Sequence, residues 1–161
     1  MVTLTLDGWK FQVDVARTMA YSAAEAAEHC DCAYCRNFYA AVDETHPALR
    51  PFLAQFGVDV EAPEVMVPAF YADGTLAYEP SYRVFGRLLQ AGDREIVAGM
   101  CSISAENEEE DCFFLDCHDV FLRWTLDEPM EDVISPANDP LLLEEAMLRQ
   151  LSRSDTDSIL N

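Results

Sequence analysis

The first fifteen residues, MVTLTLDGWKFQVDV (Met1 to Val15), decide the class of fold. Two short runs rich in β-branched and aromatic side chains flank Asp7-Gly8. That dipeptide tolerates the positive φ angles of a two-residue turn, whose twist matches the twist of the strands it joins. The stretch therefore reads as a β-hairpin with strands at Thr3–Leu6 and Trp9–Val15, and it starts the chain in antiparallel pairing.

The same period of two returns from Val65 onward. Val65–Tyr71, a turn at Asp73-Gly74, Thr75–Tyr78, Tyr82–Leu89, a turn at Ala91-Gly92-Asp93 and Arg94–Ser104 read as successive strands. An acidic connection, Glu106–Asp111, leads into one long strand, Cys112–Leu126, in which Asp116 to Asp119 break the alternation and predict a bulge. Between hairpin and meander the pattern is helical. Ser22 and Glu25 have capping-box spacing before an alanine-rich helix over Ala23–His29. A second helix is expected over Tyr34–Val42, and a third between Pro47 and Gly57, with Pro51 pushing its start later. Together these predict an α+β fold: an antiparallel β-meander sheet with an N-terminal hairpin and a helical insertion, about residues 22–57, packed on one face or end. Leu141–Leu151 reads as a short amphipathic helix. The chain is expected to form a single globular domain over 1–151 and a frayed tail over 152–161.

Thirty acids against ten bases give a formal charge of −20. The acids are spread along the chain, with 12 in residues 1–80 and 18 in residues 81–161. A field of that sign repels phosphate backbones and anionic lipid, so direct nucleic-acid binding and membrane attachment are not expected. A protein partner, in particular a basic one, fits it. Asp7, Lys10, Asp14 and Arg17 interrupt the opening residues where a signal peptide would need an apolar run, and no segment is long and apolar enough to span a bilayer. The expected compartment is the cytoplasm, which keeps thiols reduced and favours metal ligation over disulfides. Oligomeric state is not legible.

The chemistry is concentrated in HCDCAYCRNF, His29 to Phe38. Cys32 and Cys35 have the two-residue spacing that lets both sulfurs reach one ion, and Cys30 adds a third. Cys30, Cys32 and Cys35 are the expected ligands of a structural zinc ion. The fourth has to come from His29, His46, Cys101, Cys112, Cys117 or His118, with Cys117 or His118 preferred because a sheet strand can lie beside the helical insertion. Cys101 and Cys112 fall in strand-like runs and read as core. Arg36-Asn37 reads as a cap or local backbone bridge, and Arg83, Arg87 and Arg123 as sheet-surface ion pairs if they share a face with Asp116 or Asp119. A Cys117-His118-Asp119 nucleophile is disfavoured, because successive strand residues face opposite ways. Phosphate-cradling loops, HExxH and GxSxG are missing. The resulting expectation is a non-catalytic, acidic, protein-binding domain with a cysteine knuckle. The alternatives are a thiol redox enzyme or sensor using Cys32 and Cys35, and an acidic inhibitor of the immunity or nucleic-acid-mimic kind.

Overall fold

The computed structural model of the chain describes residues 1–70, 74–128 and 130. The expected C-terminal helix over 141–151, the tail over 152–161 and part of the turn at Asp73-Gly74 lie outside them. The hairpin forms as read: β1 (Val2–Leu6) and β2 (Trp9–Val13) pair antiparallel around Asp7 and Gly8, both at positive φ. Strand β2 ends two residues early because Asp14 caps a helix, its side chain accepting from the Arg17 N–H.

That helix, α1 (Val15–Ala27), starts eight residues before the expected Ala23. The Ser22–Glu25 spacing is a coincidence of sequence. Ser22 lies buried inside the helix, where its hydroxyl accepts from the Asp59 N–H at 2.8 Å. Thr18 on the same helix donates to the Asp14 carbonyl and accepts from the Phe85 N–H. Helix α2 (Ala33–Thr45) follows a short connection. Helix α3 (Leu49–Ala54) holds Pro51 in its first turn, where an N–H would have had no intrahelical partner, so the proline does not delay its start. Gly57, at φ +82°, ends this region.

The sheet is α+β in arrangement, with β3 (Val65–Phe70), β4 (Thr75–Gln90), β5 (Ile96–Ala98), β6 (Cys101–Glu109), β7 (Cys112–His118) and β8 (Val120–Arg123) completing eight antiparallel strands. The long β4 is its spine. Strands β2 and β3 pair along one edge of β4, and β7 and β8 along the other. The expected break at Glu79-Pro80-Ser81 does not occur. Pro80 falls where β4's ladder on the second edge passes from β7 to β8, so its missing N–H costs little. The register slips by one residue there, and Asp119 has φ +61°, so the bulge expected between Asp116 and Asp119 is present. The acidic stretch is strand as far as Glu109, leaving Glu110-Asp111 as the turn before β7.

One face of the sheet carries the core. Phe11, Phe56 and Phe113 pack with ring centroids 5.2–6.4 Å apart, and Phe38 lies against Tyr78. Each such ring withdraws enough apolar surface to stabilise the fold by about 2–3 kcal/mol. Two fully buried tyrosines also bind backbone: Tyr82 donates to the Val60 carbonyl and Tyr78 to the Tyr34 carbonyl. Tyr78 thereby fixes the first turn of α2, where the cysteines sit. Among the described residues no helix is long and apolar enough to cross a membrane.

Candidate metal centre

The connection between α1 and α2 brings the three N-terminal cysteines together. Cys32 is the N-cap of α2, in an extended conformation (φ −70°, ψ 159°), and its side chain makes no capping hydrogen bond. Cys35 is the third residue of the helix. The chain from Cys30 reaches back so that the sulfurs of Cys30, Cys32 and Cys35 all lie within 4.8 Å of one another. Cys30 and Cys32 are exposed and Cys35 is half-buried. Sulfurs on one tetrahedral zinc lie about 3.8 Å apart, given Zn–S bonds of about 2.3 Å, so small side-chain rotations close the triangle on an ion.

The electrostatics divide the three thiols. The Cys30 thiol is held below its ordinary value, first by the backbone N–H of Cys32 and then by hydrogen bonds from the Cys32 and Cys35 thiols. Cys35 is pushed far up by burial and by its two sulfur neighbours. Tyr39, one turn further along α2, is raised by burial and by the same sulfurs. Charging Cys35 beside Cys30 is therefore opposed by burial and by the neighbouring sulfurs. A dication bound there would supply the missing positive charge, with the positive end of the α2 dipole beside it.

The residues after Cys35 anchor the knuckle to the body of the protein. Arg36 donates to the Asp31 carbonyl at 3.0 Å and forms an ion pair with Glu128. Asn37 is fully buried: its amide donates to the Tyr78 hydroxyl and the Arg123 carbonyl, and its oxygen accepts from the N–H and hydroxyl of Thr125. Tyr34 packs edge-on against Trp124. The expected local bridge thus extends across the molecule, joining α2 to the segment after β8.

The structure does not bring the preferred fourth ligands to these sulfurs. The group of mutually close donor atoms contains none of Cys117, His118 and His29. Cys117 points into the core, 1% exposed, and burial pushes its thiol far up. His118 faces the other way and bonds Ser104 at 2.9 Å, with Glu95 at 3.8 Å. Opposite facing also separates Cys117 from His118, as strand geometry requires. Cys101 and Cys112 are buried, as expected of core cysteines. A second cluster, Glu109, Asp111 and Cys112, is occupied by arginines: Arg17 pairs with Asp111, and Arg83 reaches Cys112 and Glu109.

A buried Cys–His pair escaped the sequence, since 55 residues separate its members. The His46 Nε2 bonds the Phe121 carbonyl at 2.9 Å and must be the donor there, so Nδ1 is left to accept from the Cys101 thiol at 3.2 Å. Burial, aided by the Asp119 charge, pushes the Cys101 thiol up to about 11. The neighbouring cleft of about 470 Å³ is bounded by His46, Met100 and Phe121 but not by Cys101. The pair is a lock between the end of α2 and the sheet. Arg83 likewise departs from expectation, making a two-pronged contact with Glu64 at 2.7 and 2.8 Å in place of Asp116; Asp116 accepts from Ser81.

Compared with known proteins, the chain matches no family model, no curated protein and no solved structure.

Proposed function

We propose that Cys30, Cys32 and Cys35 hold one thiophilic metal ion, zinc, as a structural knuckle of a non-catalytic domain that binds another protein in the cytoplasm. The observation that carries the metal reading is the convergence of three sulfurs within 4.8 Å at the start of a helix. Zinc there ties the end of α1 to the start of α2, and through Arg36 and Asn37 it steadies the segment from Arg123 to Glu128. Partner binding is supported by the charge of −20, which suits a basic protein surface and opposes nucleic acid.

The expected stoichiometry is about one zinc per chain, bound by three thiolates and a fourth ligand. Cys35→Ser is expected to lose the metal and to lower the melting temperature by roughly 5–10 °C, and a strong chelator to do the same to the wild type. Elemental analysis combined with thermal melts decides it: metal-free protein whose melting is indifferent to chelator removes the knuckle. A basic partner is expected to dissociate as salt is raised, and a complex indifferent to salt would argue against charge-driven binding.

The redox alternative has one specific observation in its favour, the lowered Cys30 thiol. It moves the attacking sulfur from Cys32 to Cys30. Fast alkylation of Cys30 near neutral pH in metal-free protein, followed by a reversible disulfide, would favour it over zinc. The inhibitor alternative has charge alone behind it.

A further inference from the structure

All six cysteines and all three histidines lie among the described residues, so each remaining sulfur or nitrogen donor can be weighed for the fourth coordination position. Cys101, Cys112 and Cys117 are buried in the sheet. Both ring nitrogens of His46 are engaged, and His118 is bonded to Ser104. His29 is exposed, lies outside helix and strand, and immediately precedes Cys30. Its ring is stacked on Tyr39, with centroids 4.2 Å apart and planes 13° from parallel. The Tyr39 hydroxyl donates to the Cys30 carbonyl at 3.4 Å and sits beside the Cys35 sulfur. Tyr39 therefore ties the His29 ring to the segment that carries the sulfurs, with the imidazole nitrogens outside the group of donor atoms that lie within 4.8 Å of one another.

Building on the metal reading above, we propose that His29 is the fourth ligand, giving a closed Cys3His site, and that its ring leaves the Tyr39 stack to bind the ion. Four protein donors of this kind match a tetrahedral structural zinc ion and leave no open position for chemistry. Residues 29–31 have no helical or strand ladder to break, so neither backbone nor ring is held against this movement by secondary structure. The spacing is compact, with all four donors falling between positions 29 and 35.

Cobalt(II) is the probe, added to the reduced full chain and followed by its visible absorption, with zinc affinity measured by competition against a chromophoric chelator. The wild type is expected to show the intense bands of tetrahedral cobalt. His29→Ala is expected to bind zinc at least about tenfold more weakly and to shift those bands, with its metal-free melting curve unchanged. His29→Cys is expected to restore tetrahedral absorption, moved further towards the red by a fourth thiolate. In the zinc-loaded wild type, the His29 ring nitrogens are expected to shift in 15N spectra. A His29→Ala protein with wild-type cobalt bands and zinc affinity overturns the assignment of His29 and leaves the three-sulfur site standing. A wild type that takes up no tetrahedral cobalt overturns the metal reading itself.

Discussion

Asn37 is a small polar side chain in the core that satisfies four partner groups on two separated parts of the chain. Buried polar groups lose hydration on folding, so removing their shared partner leaves several of them unpaired at once. Asn37→Ala is expected to destabilise the protein by roughly 2–4 kcal/mol in denaturant unfolding. A loss under about 0.5 kcal/mol, typical of a surface change, would contradict its role as a hub. The Arg83–Glu64 pair makes a pH-dependent case. Arg83 hydrogen bonds hold the Glu64 carboxyl below its ordinary value, against a smaller opposing effect of burial. A depressed folded value contributes stability above the unfolded one and loses it as pH falls through the folded one. Glu64→Gln should therefore be about 1–2 kcal/mol less stable at neutral pH, and the difference should shrink below pH 4.5. A constant difference across that range would contradict the linkage. At this scale the sequence exposed residue types and not their partners: Arg36 and Asn37 were visible beside Cys35, but Glu128 and Thr125 are about ninety positions away.

Elements were legible where local chemistry and tertiary packing agree. Asp7-Gly8 makes its turn whatever lies around it, and the disturbed alternation before Asp119 marks a real bulge. They were illegible where packing overrides local preference. Helix α1 buries little beyond Thr18 and Ser22, so it lacks a strong apolar stripe, and its Asp14 cap was hidden at the end of a strand-like run. Strand β4 continues through Pro80 because its neighbours make room. The acidic stretch is strand because it pairs with β7 as far as Glu109, and the Asn107 side chain adds two hydrogen bonds to the backbone of Leu88. The junction of β2 and β4 is the least forgiving point. Gly86 has φ +139°, and a Cβ there would meet the Gln12 carbonyl oxygen at 2.0 Å. Gly86→Ala is expected to cost at least about 3 kcal/mol, or to prevent folding, because backbone cannot yield as a side chain can. Wild-type stability in that variant would mean that the two strands do not approach this closely.

At the scale of the whole molecule the dominant facts are the excess of twenty negative charges and the single sheet face that carries the core. Repulsion among exposed carboxylates opposes the compact state, and its range shrinks from about 30 Å at 0.01 M salt to about 3 Å at 1 M. Raising sodium chloride across that range is expected to raise the melting temperature by several degrees. A flat or falling response would show that ion pairs such as Arg17–Asp111 and Arg50–Asp43 already balance the repulsion. The knuckle has its own place in this picture. Three thiolates would add charge to an already acidic molecule, and a dication offsets most of that addition at the point where α1 turns into α2. The three sulfurs could be picked out from HCDCAYCRNF, whereas setting aside Cys117 and His118 as ligands depends on which way distant side chains face. Cys117 and His118 lie on the sheet as expected and face away from the task.

X-ray absorption at the zinc edge, on untagged protein purified without added metal, tests the knuckle most directly. The expected result is about one zinc per chain with three sulfurs at about 2.3 Å and one nitrogen at about 2.0 Å. Protein that carries no zinc, or zinc surrounded only by oxygen and nitrogen, would contradict it.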